Sequence, residues 1–455
     1  MTTAADPGLD LSGWLTRIQQ LHPNEIDMGL ERLTTVARRL GLKTTLSGRP
    51  LVITVTGTNG KGSHVAVIDA VLRAAGKRVG SYTSPHLLHY RERICIQGAP
   101  VADAMIVRAF AAIEQARGEV SLTYFEFGTL AALLIFQDAD LDVLVLEVGL
   151  GGRLDAVNIM DADIAVVTSI GLDHQEWLGD TREAIAIEKA GIFRPGKPVV
   201  CSESDPPATL LQAASELECP LYRAGRDFIA TPSLVDNSWH WRGRQRPEAD
   251  SEREQHLTVA NLPPAALATG NIAGALQVVC LTGMLPSEQW LRSHLPGILS
   301  TLVLPGRQQW FMPPKFKVPV VMDVAHNPQA AQSLAAGIQR QRQQLLLDSG
   351  RIGAVRVVVA MMADKDHAGF YQALENQTDF WYIAHFDLPR CLPAETLAQR
   401  FHQFGADKRT MAASSPFATV GEAMAAACSD AVDGDIIVVT GSFITVSDAM
   451  SSISG

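Results

Sequence analysis

The sequence has 455 residues, of which 47% are hydrophobic and 19% are charged, and its net charge is −10. A chain of this length exceeds one ordinary hydrophobic core, so we expect about two or three domains. The acidic balance argues against a nucleic-acid partner, because no sustained run of lysine and arginine offsets it.

The N-terminal segment has neither the basic region nor the apolar core of a secretory signal. No stretch of about twenty residues is apolar and uncharged enough to span a bilayer. The six cysteines lack C-x-x-C spacing, which favours reduced thiols over disulfides or zinc sites. We therefore expect a soluble cytoplasmic protein, acting as a monomer and without a membrane partner.

The first fifty residues predict two amphipathic helical pieces, separated near His22-Pro23-Asn24. Beyond them, apolar runs of strand length alternate with segments of helical periodicity. The predicted strands are 51–55, 77–82, 141–146 and 164–168, and the predicted helices are 64–75, 102–117 and 124–136. This alternation indicates a mostly parallel sheet covered on both faces.

Residues 198–260 predict an irregular, partly antiparallel extension, followed by helices at 271–281 and 286–294. A second alternation, with strands at 318–322, 355–361 and 436–440, follows the proline-containing stretch 296–305. We therefore predict an α/β protein with two domains. Residues 1–298 form a P-loop ATPase-type domain with a mostly parallel sheet, and residues 299–455 form a smaller Rossmann-like α/β domain.

The segment 51–63, LVITVTGTNGKGS, predicts a strand, a glycine-rich turn and the start of a helix. Glycines allow backbone N–H groups to turn towards an anion, and a helix N-terminus adds its positive end. Lys61 would reach the outer phosphates of a nucleotide, and the hydroxyl of Ser63 would bind its magnesium ion. The alternative is an ordinary glycine turn, which the flanking strand and helix disfavour.

The spacing differs from the common G-x-x-x-x-G-K-[ST] pattern, because Gly57 and Gly60 are closer together and Gly62 separates Lys61 from Ser63. This variant, GTNGKGS, resembles the phosphate loop of the Mur ligase superfamily. Those enzymes use ATP to join an amino acid to a carboxylate.

Three other polar residues follow predicted strands or lie on a helix. Glu147 ends the strand at 141–146, where a carboxylate would coordinate magnesium or only accept hydrogen bonds from local amides. His174, taken by its spacing alone, is more typical of a packing residue than of a ligand. Lys189, in EAIAIEKAGI, would by default lie on an exposed helix flank.

Nine motifs occur in order: TGTNGKGS, SPHL, SLTYFEFGT, LEVGLGGRLDAVN, LDHQEWLG, EKAGIF, LPGR, DVAHNP and GSF. Together they resemble the bacterial folylpolyglutamate synthase family, in the bifunctional form that is also dihydrofolate synthase. The resemblance runs from about Trp14 to Val446. It implies that ATP and magnesium are required, magnesium at two sites, with a monovalent cation as a further candidate. It also implies dihydropteroate, reduced folates and L-glutamate as substrates.

The resemblance implies a role for each matching residue. The ATP-binding residues would be Gly57, Thr58, Asn59, Gly60, Lys61, Gly62, Ser63, Asn271, Arg307 and Asp323. The metal ligands would be Ser63, Ser84, Glu147 and His174. The pterin would contact Thr123, Tyr124, Phe125, Glu126, Leu154, Asp155 and Ala156. Glutamate would contact His326 and Ser442. The catalytic residues would be Lys61, His174 and a carbamylated Lys189.

Some of these implied roles have alternatives. Carbamylation needs a partly buried lysine with a lowered pKa, since only a neutral amine reacts with carbon dioxide. Tyr124, Phe125 and Phe127 would otherwise be plain helix packing, and at least one of them is expected to be only that. The TGNIAGAL segment departs from the proline-asparagine-alanine run usual in the family, so Asn271 is the less secure ATP contact.

The implied reaction activates a carboxylate as an acyl phosphate, which the amine of L-glutamate then attacks. No Ser-His-Asp or Cys-His constellation indicates a protein nucleophile. A cell-wall Mur ligase is the nearer rival, although the roughly 50 residues before the phosphate loop are too few for its UDP-sugar-binding domain. A nucleotide-dependent switch or motor is the more distant one.

Overall fold

The computed structural model describes residues 8–24, 26–44, 50–233, 237–246, 255–313, 316, 318–350, 352–406, 410–412 and 415–454. The chain divides into two compact units. One comprises Met1–Ala265 and Thr269–Leu302, and the other Ala266–Ala268 and Val303–Gly455. Within the described residues, no helix combines the length and the apolar character that crossing a bilayer requires.

The first unit contains an eight-stranded sheet, a three-stranded antiparallel sheet and the helices that cover them. Its strands are β1 Leu51–Thr56, β2 Val79–Tyr82, β3 Ile94–Ile96, β4 Ala99–Pro100, β5 Val143–Glu147, β6 Ile164–Val167, β7 Val199–Cys201, β8 Leu221–Arg223, β9 Ile229–Pro232, β10 Trp239–Arg244 and β11 His256–Leu262. Its helices are α1 Leu11–Gln19, α2 Glu31–Arg39, α3 Lys61–Ala74, α4 Asp103–Arg117, α5 Tyr124–Gln137, α6 Gln175–Leu178, α7 Arg182–Ala190, α8 Ala208–Glu216, α9 Thr269–Leu281 and α10 Glu288–Thr301. Single 3₁₀ turns lie at Tyr90–Arg93 and Ala156–Ile159.

The large sheet has the order β4-β3-β2-β5-β1-β6-β7-β8 and is parallel from β2 to β8. Its central strands are buried along almost their whole length, because helices lie on both faces and the β-branched runs have no solvent-facing side. The carboxyl ends of β2, β5, β1 and β6 are consecutive neighbours. Loops that follow these four strands therefore meet at one edge of the sheet.

The extension predicted for 198–260 is partly antiparallel, as expected. β7 and β8 continue the parallel sheet, and β9, β10 and β11 pair antiparallel in the separate three-stranded sheet. Residues 247–254 of this extension lie outside the described residues.

The second unit is a smaller α/β sandwich with a five-stranded sheet of order β12-β13-β16-β14-β15. Its strands are β12 Gln309–Phe311, β13 Val320–Met322, β14 Val355–Val359, β15 Phe380–Ile383 and β16 Ile436–Thr440. Its helices are α11 Pro328–Ser349, α12 His367–Leu374, α13 Ala394–Phe404, α14 Val420–Asp430 and α15 Phe443–Ser454, with a 3₁₀ turn at Glu375–Gln377. Only β12 pairs antiparallel within this sheet. The predicted fold class, a mostly parallel N-terminal sheet and a smaller C-terminal α/β unit, is confirmed.

The helix predicted at 286–294 is longer in the structure. It begins after its N-cap Ser287 and continues through Pro296 to Thr301. Leu291, Leu295 and Leu299 are buried at four-residue spacing, and this apolar face holds the helix together past the proline. The predicted boundary between residues 298 and 299 falls inside this helix, and the functional division into two domains stays a prediction.

Candidate active site

The phosphate loop lies between β1 and α3, as the sequence predicts. Gly60 is the N-cap of α3 with a φ of +87°, in the left-handed region that favours glycine. A Cβ on Gly57 would overlap the side chain of Thr168, which follows β6. Thr168 and Ser169 also hold the loop through the backbone of Asn59. The Oγ1 of Thr168 donates to the Asn59 carbonyl at 2.6 Å, and the Asn59 N–H donates to Ser169 Oγ at 2.9 Å.

Lys61 is the first residue of α3, and its side chain lies across the loop. Its Nζ donates to the carbonyl oxygens of Gly57 at 2.9 Å and Thr58 at 3.4 Å. The amine therefore lies on the same side as the glycine backbone that would surround a phosphate. A small movement would exchange these carbonyl contacts for phosphate oxygens.

His64 supports the loop and was not singled out in the sequence. It is fully buried, with Nδ1 2.9 Å from the Gly60 carbonyl and Nε2 2.9 Å from Ser202 Oγ. Burial lowers its pKa to about 4, although the hydrogen bond to Gly60 acts in the opposite direction. His64 is therefore neutral at physiological pH and fixes the loop against the segment after β7. No local sequence pattern indicates this role, because Ser202 is distant along the chain.

Asn271 contacts the phosphate loop, although its sequence motif departs from the family pattern. It lies on α9, and its Oδ1 would be 2.7 Å from a Cβ built on Gly60. Only a glycine at position 60 leaves room for this amide. The structure thus brings Asn271 to the loop that is expected to bind ATP.

Glu147 and Ser84 lie together at the carboxyl ends of β5 and β2. Glu147 is opposite Val55 of β1, and its Oε2 is 3.3 Å from the backbone N–H of Ser84. Glu147 is 4% exposed, and Ser63, which is also expected to bind metal, is 4% exposed. The carboxylate is therefore buried on the phosphate side of the sheet, as predicted.

This donor set fits magnesium. Mg²⁺ prefers oxygen ligands and is usually held by one or two carboxylates together with phosphates and water. Glu147, Ser63 and Ser84 supply one carboxylate and two hydroxyls, with His174 as a possible nitrogen ligand in a neighbouring loop. Within the described chain no group of three or more His, Cys, Asp or Glu side chains is arranged to hold a metal. Such a sparse set would depend on the nucleotide phosphates to complete the coordination.

His174 precedes α6 in a left-handed conformation, with a φ of +52°. Its side chain is 35% exposed, and its Nε2 is 4.0 Å from Asp173 Oδ1. The packing role expected from spacing alone does not describe this residue. The loop after β6 instead presents it at the edge where the phosphate loop lies.

Lys189 differs from the default expectation of an exposed helix flank. It lies on the inner face of α7 and is 2% exposed. Burial lowers the pKa of its amine to about 7, the positive charge of Lys61 lowers it further, and Asp173 acts in the opposite direction. The exposed position was wrong because this face of α7 is buried in the hydrophobic core together with Ile185, Ala186 and Ala190. The lowered pKa is the property that carbamylation requires.

The predicted pterin residues at the start of α5 form a capping box. Thr123 Oγ1 accepts from the Glu126 N–H at 3.2 Å, and Glu126 Oε2 accepts from the Thr123 N–H at 2.7 Å. The other oxygen of Glu126 is 3.3 Å from Arg32, which also donates to Asp27 at 2.7 Å. The start of α2 therefore approaches this site, which the sequence did not indicate.

The aromatic residues of α5 have separate roles. Phe127 is fully buried in the core and is packing only. Phe125 lies against Gly149, where an added Cβ would be 2.6 Å from its ring. Tyr124 is half-buried and packs edge-on against Tyr90, with ring centroids 5.7 Å apart. Two of the three rings thus remain available as walls of a ligand site.

Asp155 organises the loop that contains Leu154 and Ala156. Its Oδ2 accepts from the Leu150 N–H at 2.8 Å and its Oδ1 from the Val157 N–H at 2.9 Å. Burial raises its pKa to about 6, against the effect of these hydrogen bonds. The carboxylate shapes this loop, and its role in binding pterin stays a prediction.

The second unit brings its own predicted residues to the carboxyl edge of β13 and β16. Asp323 accepts from the N–H groups of Gln308 and Ala325, both at 2.8 Å. Burial raises the pKa of this carboxyl group, and the charge of Arg307 opposes the shift. The guanidinium of Arg307 lies 4.7 Å from the ring centroid of Phe443.

The two residues expected to bind glutamate lie at the same edge. His326 Nδ1 is 2.9 Å from the Val324 carbonyl, and its ring centroid is 6.5 Å from that of Phe443. Ser442 Oγ is 2.7 Å from Thr445 Oγ1 and accepts from the Thr445 N–H at 3.0 Å. Phe443 thus connects Arg307 with the candidate glutamate residues.

Two family models match the chain. The Mur ligase middle domain matches residues 55–230, and the Mur ligase glutamate ligase domain matches residues 306–443. The dihydrofolate synthase/folylpolyglutamate synthase of Escherichia coli (strain K12) is 42% identical over 99% of this chain and 96% of its own length. The chain belongs to the dihydrofolate synthase/folylpolyglutamate synthase family. The family resemblance predicted from the motifs is therefore confirmed.

Other members of the dihydrofolate synthase/folylpolyglutamate synthase family agree. The enzyme of Haemophilus influenzae is 37% identical over 96% of both chains. The structure of E. coli FolC in complex with DHPP and ADP has a TM-score of 0.84 and 40% identity, covering 98% of each chain. A bifunctional folylpolyglutamate synthase/dihydrofolate synthase with Mn, AMPPNP and L-glutamate bound has a TM-score of 0.82 and 39% identity over the full length of both chains.

Proposed function

We propose that the chain is an ATP-dependent ligase that joins L-glutamate to dihydropteroate and to reduced folylpolyglutamates. One observation carries this proposal: the phosphate loop after β1 lies beside the buried carboxylate of Glu147 at the end of β5. Full-length identity of 42% to a dihydrofolate synthase/folylpolyglutamate synthase supports the choice of acid and amine. The cell-wall Mur ligase is less well supported, because the Mur ligase models describe single domains, whereas the full-length relatives reported above are dihydrofolate synthase/folylpolyglutamate synthases.

The acid must first be activated, because a carboxylate is a poor electrophile and its oxygen a poor leaving group. Transfer of the ATP γ-phosphoryl group to the carboxylate gives an acyl phosphate and releases ADP. Backbone N–H groups of residues 57–63 and the amine of Lys61 hold the phosphates in line with the acid. Their contribution is positioning and charge stabilisation, which dominate catalysis of phosphoryl transfer.

Magnesium fits the residues at the sheet edge. Glu147, Ser84 and Ser63 would hold it near the phosphates, and His174 would contribute from the loop after β6. Bound there, a divalent cation neutralises charge on the phosphates. The relative solved with Mn and AMPPNP supports a requirement for ATP and a divalent metal. Two magnesium sites and a monovalent cation stay predictions.

The amine of L-glutamate then attacks the acyl carbon, and phosphate leaves as the amide forms. We propose that Lys189 is carbamylated and supports a metal with its new negative charge. In the second unit, Arg307 and Asp323 would contact ATP, and His326 and Ser442 would contact glutamate. The relative solved with L-glutamate supports this amine as substrate. Monomeric action stays a prediction.

The acid would bind at the start of α5. Tyr124 and Phe125 supply aromatic faces for a flat heterocycle, and Glu126 and Asp155 supply acceptors for its N–H donors. The E. coli FolC structure contains both DHPP and ADP, which supports the binding of a second small molecule together with the nucleotide.

A product assay resolved by mass tests the proposed function. Purified protein receives ATP, Mg²⁺ and L-glutamate with dihydropteroate or tetrahydrofolate in separate reactions, and both conjugate and ADP are measured. We expect equimolar ADP and amide product with each acid, and no continued ADP release beyond the first turnover when glutamate is omitted. ADP release that needs neither acid nor glutamate would favour a switch or motor. Conjugation of a UDP-linked sugar acid alone would favour the cell-wall ligase.

A further inference from the structure

Arg93 is a buried cation beside the candidate acid site, and none of the roles above uses it. It ends the 3₁₀ turn Tyr90–Arg93, and the residue is 8% exposed. Its backbone carbonyl accepts from the N–H of Thr83, next to the expected metal ligand Ser84. The guanidinium therefore lies between the loop that contains Ser84 and the start of α5.

The neighbours of this guanidinium are aromatic and uncharged. Its central carbon lies 5.3 Å from the ring centroid of Tyr90 and 5.5 Å from that of Tyr124. Its Nε donates to Nδ1 of His86 at 2.9 Å. Because that nitrogen accepts, it carries no proton, and the His86 imidazole is neutral. The guanidinium also forms a side-chain hydrogen bond with the hydroxyl of Tyr82. It therefore packs on two tyrosine rings and is held in orientation by one histidine and one tyrosine hydroxyl.

Within the described part of the chain, no carboxylate forms an ion pair with Arg93. The nearby buried carboxylate of Asp155 accepts from the backbone N–H groups of Leu150 and Val157 and forms no ion pair with Arg93 among the described contacts. A buried charge without a partner is costly, and proteins normally pair such groups. An arginine that remains unpaired at the edge of a ligand site is well suited to receive an anion from that ligand.

We propose that Arg93 is a further substrate-binding residue and receives a carboxylate of the acid substrate. The inference rests on the proposed function, since it names the group of the acid that the first unit holds. Tyr124 would contact the flat part of the substrate on one side and the guanidinium on the other. The charge would thereby select acids over their uncharged analogues.

The proposal is tested by a thermodynamic cycle that changes Arg93 in the protein and the carboxylate in the ligand. Dissociation constants of pteroate and of its primary amide are measured for the wild type, Arg93→Met and Arg93→Lys, with Mg²⁺ and a non-hydrolysable ATP analogue. Arg91→Met is the matched control, because Arg91 lies in the same turn and is exposed. Measuring both ligands separates the contact with the carboxylate from general damage to the site.

We expect Arg93→Met to weaken binding of pteroate by about 10-fold or more and binding of the amide by much less. Arg93→Lys keeps the charge without the planar fork, so its preference for pteroate should be intermediate. Arg91→Met should match the wild type. If Arg93→Met weakened both ligands equally, or neither, the proposal would be overturned.

Two controls keep the outcome decisive. Thermal unfolding shows whether each variant is folded. If Arg93→Met does not fold, Arg93→Lys decides the test. Tighter binding of pteroate than of the amide by Arg93→Lys supports a contact between the positive charge and the carboxylate, whereas equal affinities for the two ligands contradict the proposal. The wild type must also form the ADP-coupled conjugate. Its failure would refute the proposed function, whereas normal conjugation with a normal preference in Arg93→Met would refute only the role of Arg93.

Discussion

The side-chain amide of Asn271 packs directly against Gly60, at the point where the phosphate loop becomes helix α3. A methyl group on Gly60 would lie 2.7 Å from Asn271 Oδ1 and 3.0 Å from its Nδ2. The two residues are far apart in sequence, and α9 brings them together by packing along α3. The conformation of the loop and the position of this amide therefore depend on each other.

Gly60→Ala should weaken ATP binding more than it weakens the fold. The left-handed φ of +87° costs a non-glycine residue about 1–2 kcal/mol, and the new methyl group must also displace Asn271. Gly76→Ala is the matched control, because Gly76 has a φ of +79° with nothing within 4 Å of its Cβ position. Gly60→Ala should lose somewhat more stability than Gly76→Ala in chemical denaturation, because only Gly60→Ala must also displace Asn271. Only Gly60→Ala should raise the KM for ATP, by about 10-fold. If the two variants had the same KM for ATP, the contact between Gly60 and Asn271 would have no role in nucleotide binding.

Lys61→Ala should abolish ATP-dependent amide formation and leave the fold intact. The amine donates to loop carbonyls at 2.9 and 3.4 Å, and the residue is only half-buried, so its loss removes no part of the hydrophobic core. We expect a decrease in kcat of at least about 100-fold, since the charge acts where phosphoryl transfer occurs. Circular dichroism and thermal melts check the fold, with Lys77→Ala as the control. If Lys61→Ala formed the amide at the wild-type rate, the phosphate loop would not take part in the reaction.

Glu147→Gln should raise the magnesium requirement. The substitution keeps the size of the side chain and can keep an oxygen near the Ser84 N–H, but it removes the charge that attracts a cation. We expect the magnesium concentration for half-maximal activity to increase by about 10-fold or more, with much of the rate recovered at saturating metal. Glu119→Gln, at an exposed position, is the control. An unchanged magnesium titration would argue that Glu147 only binds local amides.

The sequence was most informative where the signal is local. The strand, glycine turn and helix around Gly57–Ser63 follow from apolar periodicity and glycine spacing, and Glu147 follows from its place after a buried strand. His64, Arg32 and Arg93 could not be found in this way, because their partners are distant in sequence and their burial depends on packing. Lys189 shows the same limit: α7 has charged residues on several sides, and only its packing decides which face is buried.

The buried amine of Lys189 should make both modification and stability depend on pH. Its folded pKa is about 7, against 10.5 for a free lysine. Between these values the unfolded chain binds more protons than the folded chain, so stability should rise with pH from about 7 upwards. The neutral fraction that reacts with carbon dioxide rises over the same range.

We therefore expect the intact mass to increase by one carbon dioxide in bicarbonate buffer above pH 7, and to return to the unmodified value after acidification and degassing. Activity should follow the modified fraction.

Lys189→Ala should be nearly inactive and partly rescued by a small carboxylic acid such as acetate, whereas Lys197→Ala, at an exposed lysine paired with Asp163, should be unaffected. In degassed buffer, the increase in unfolding free energy between pH 7 and 9 should be smaller in Lys189→Met than in the wild type. Full activity in carbonate-free buffer, with no added mass, would show that the unmodified amine is the working form.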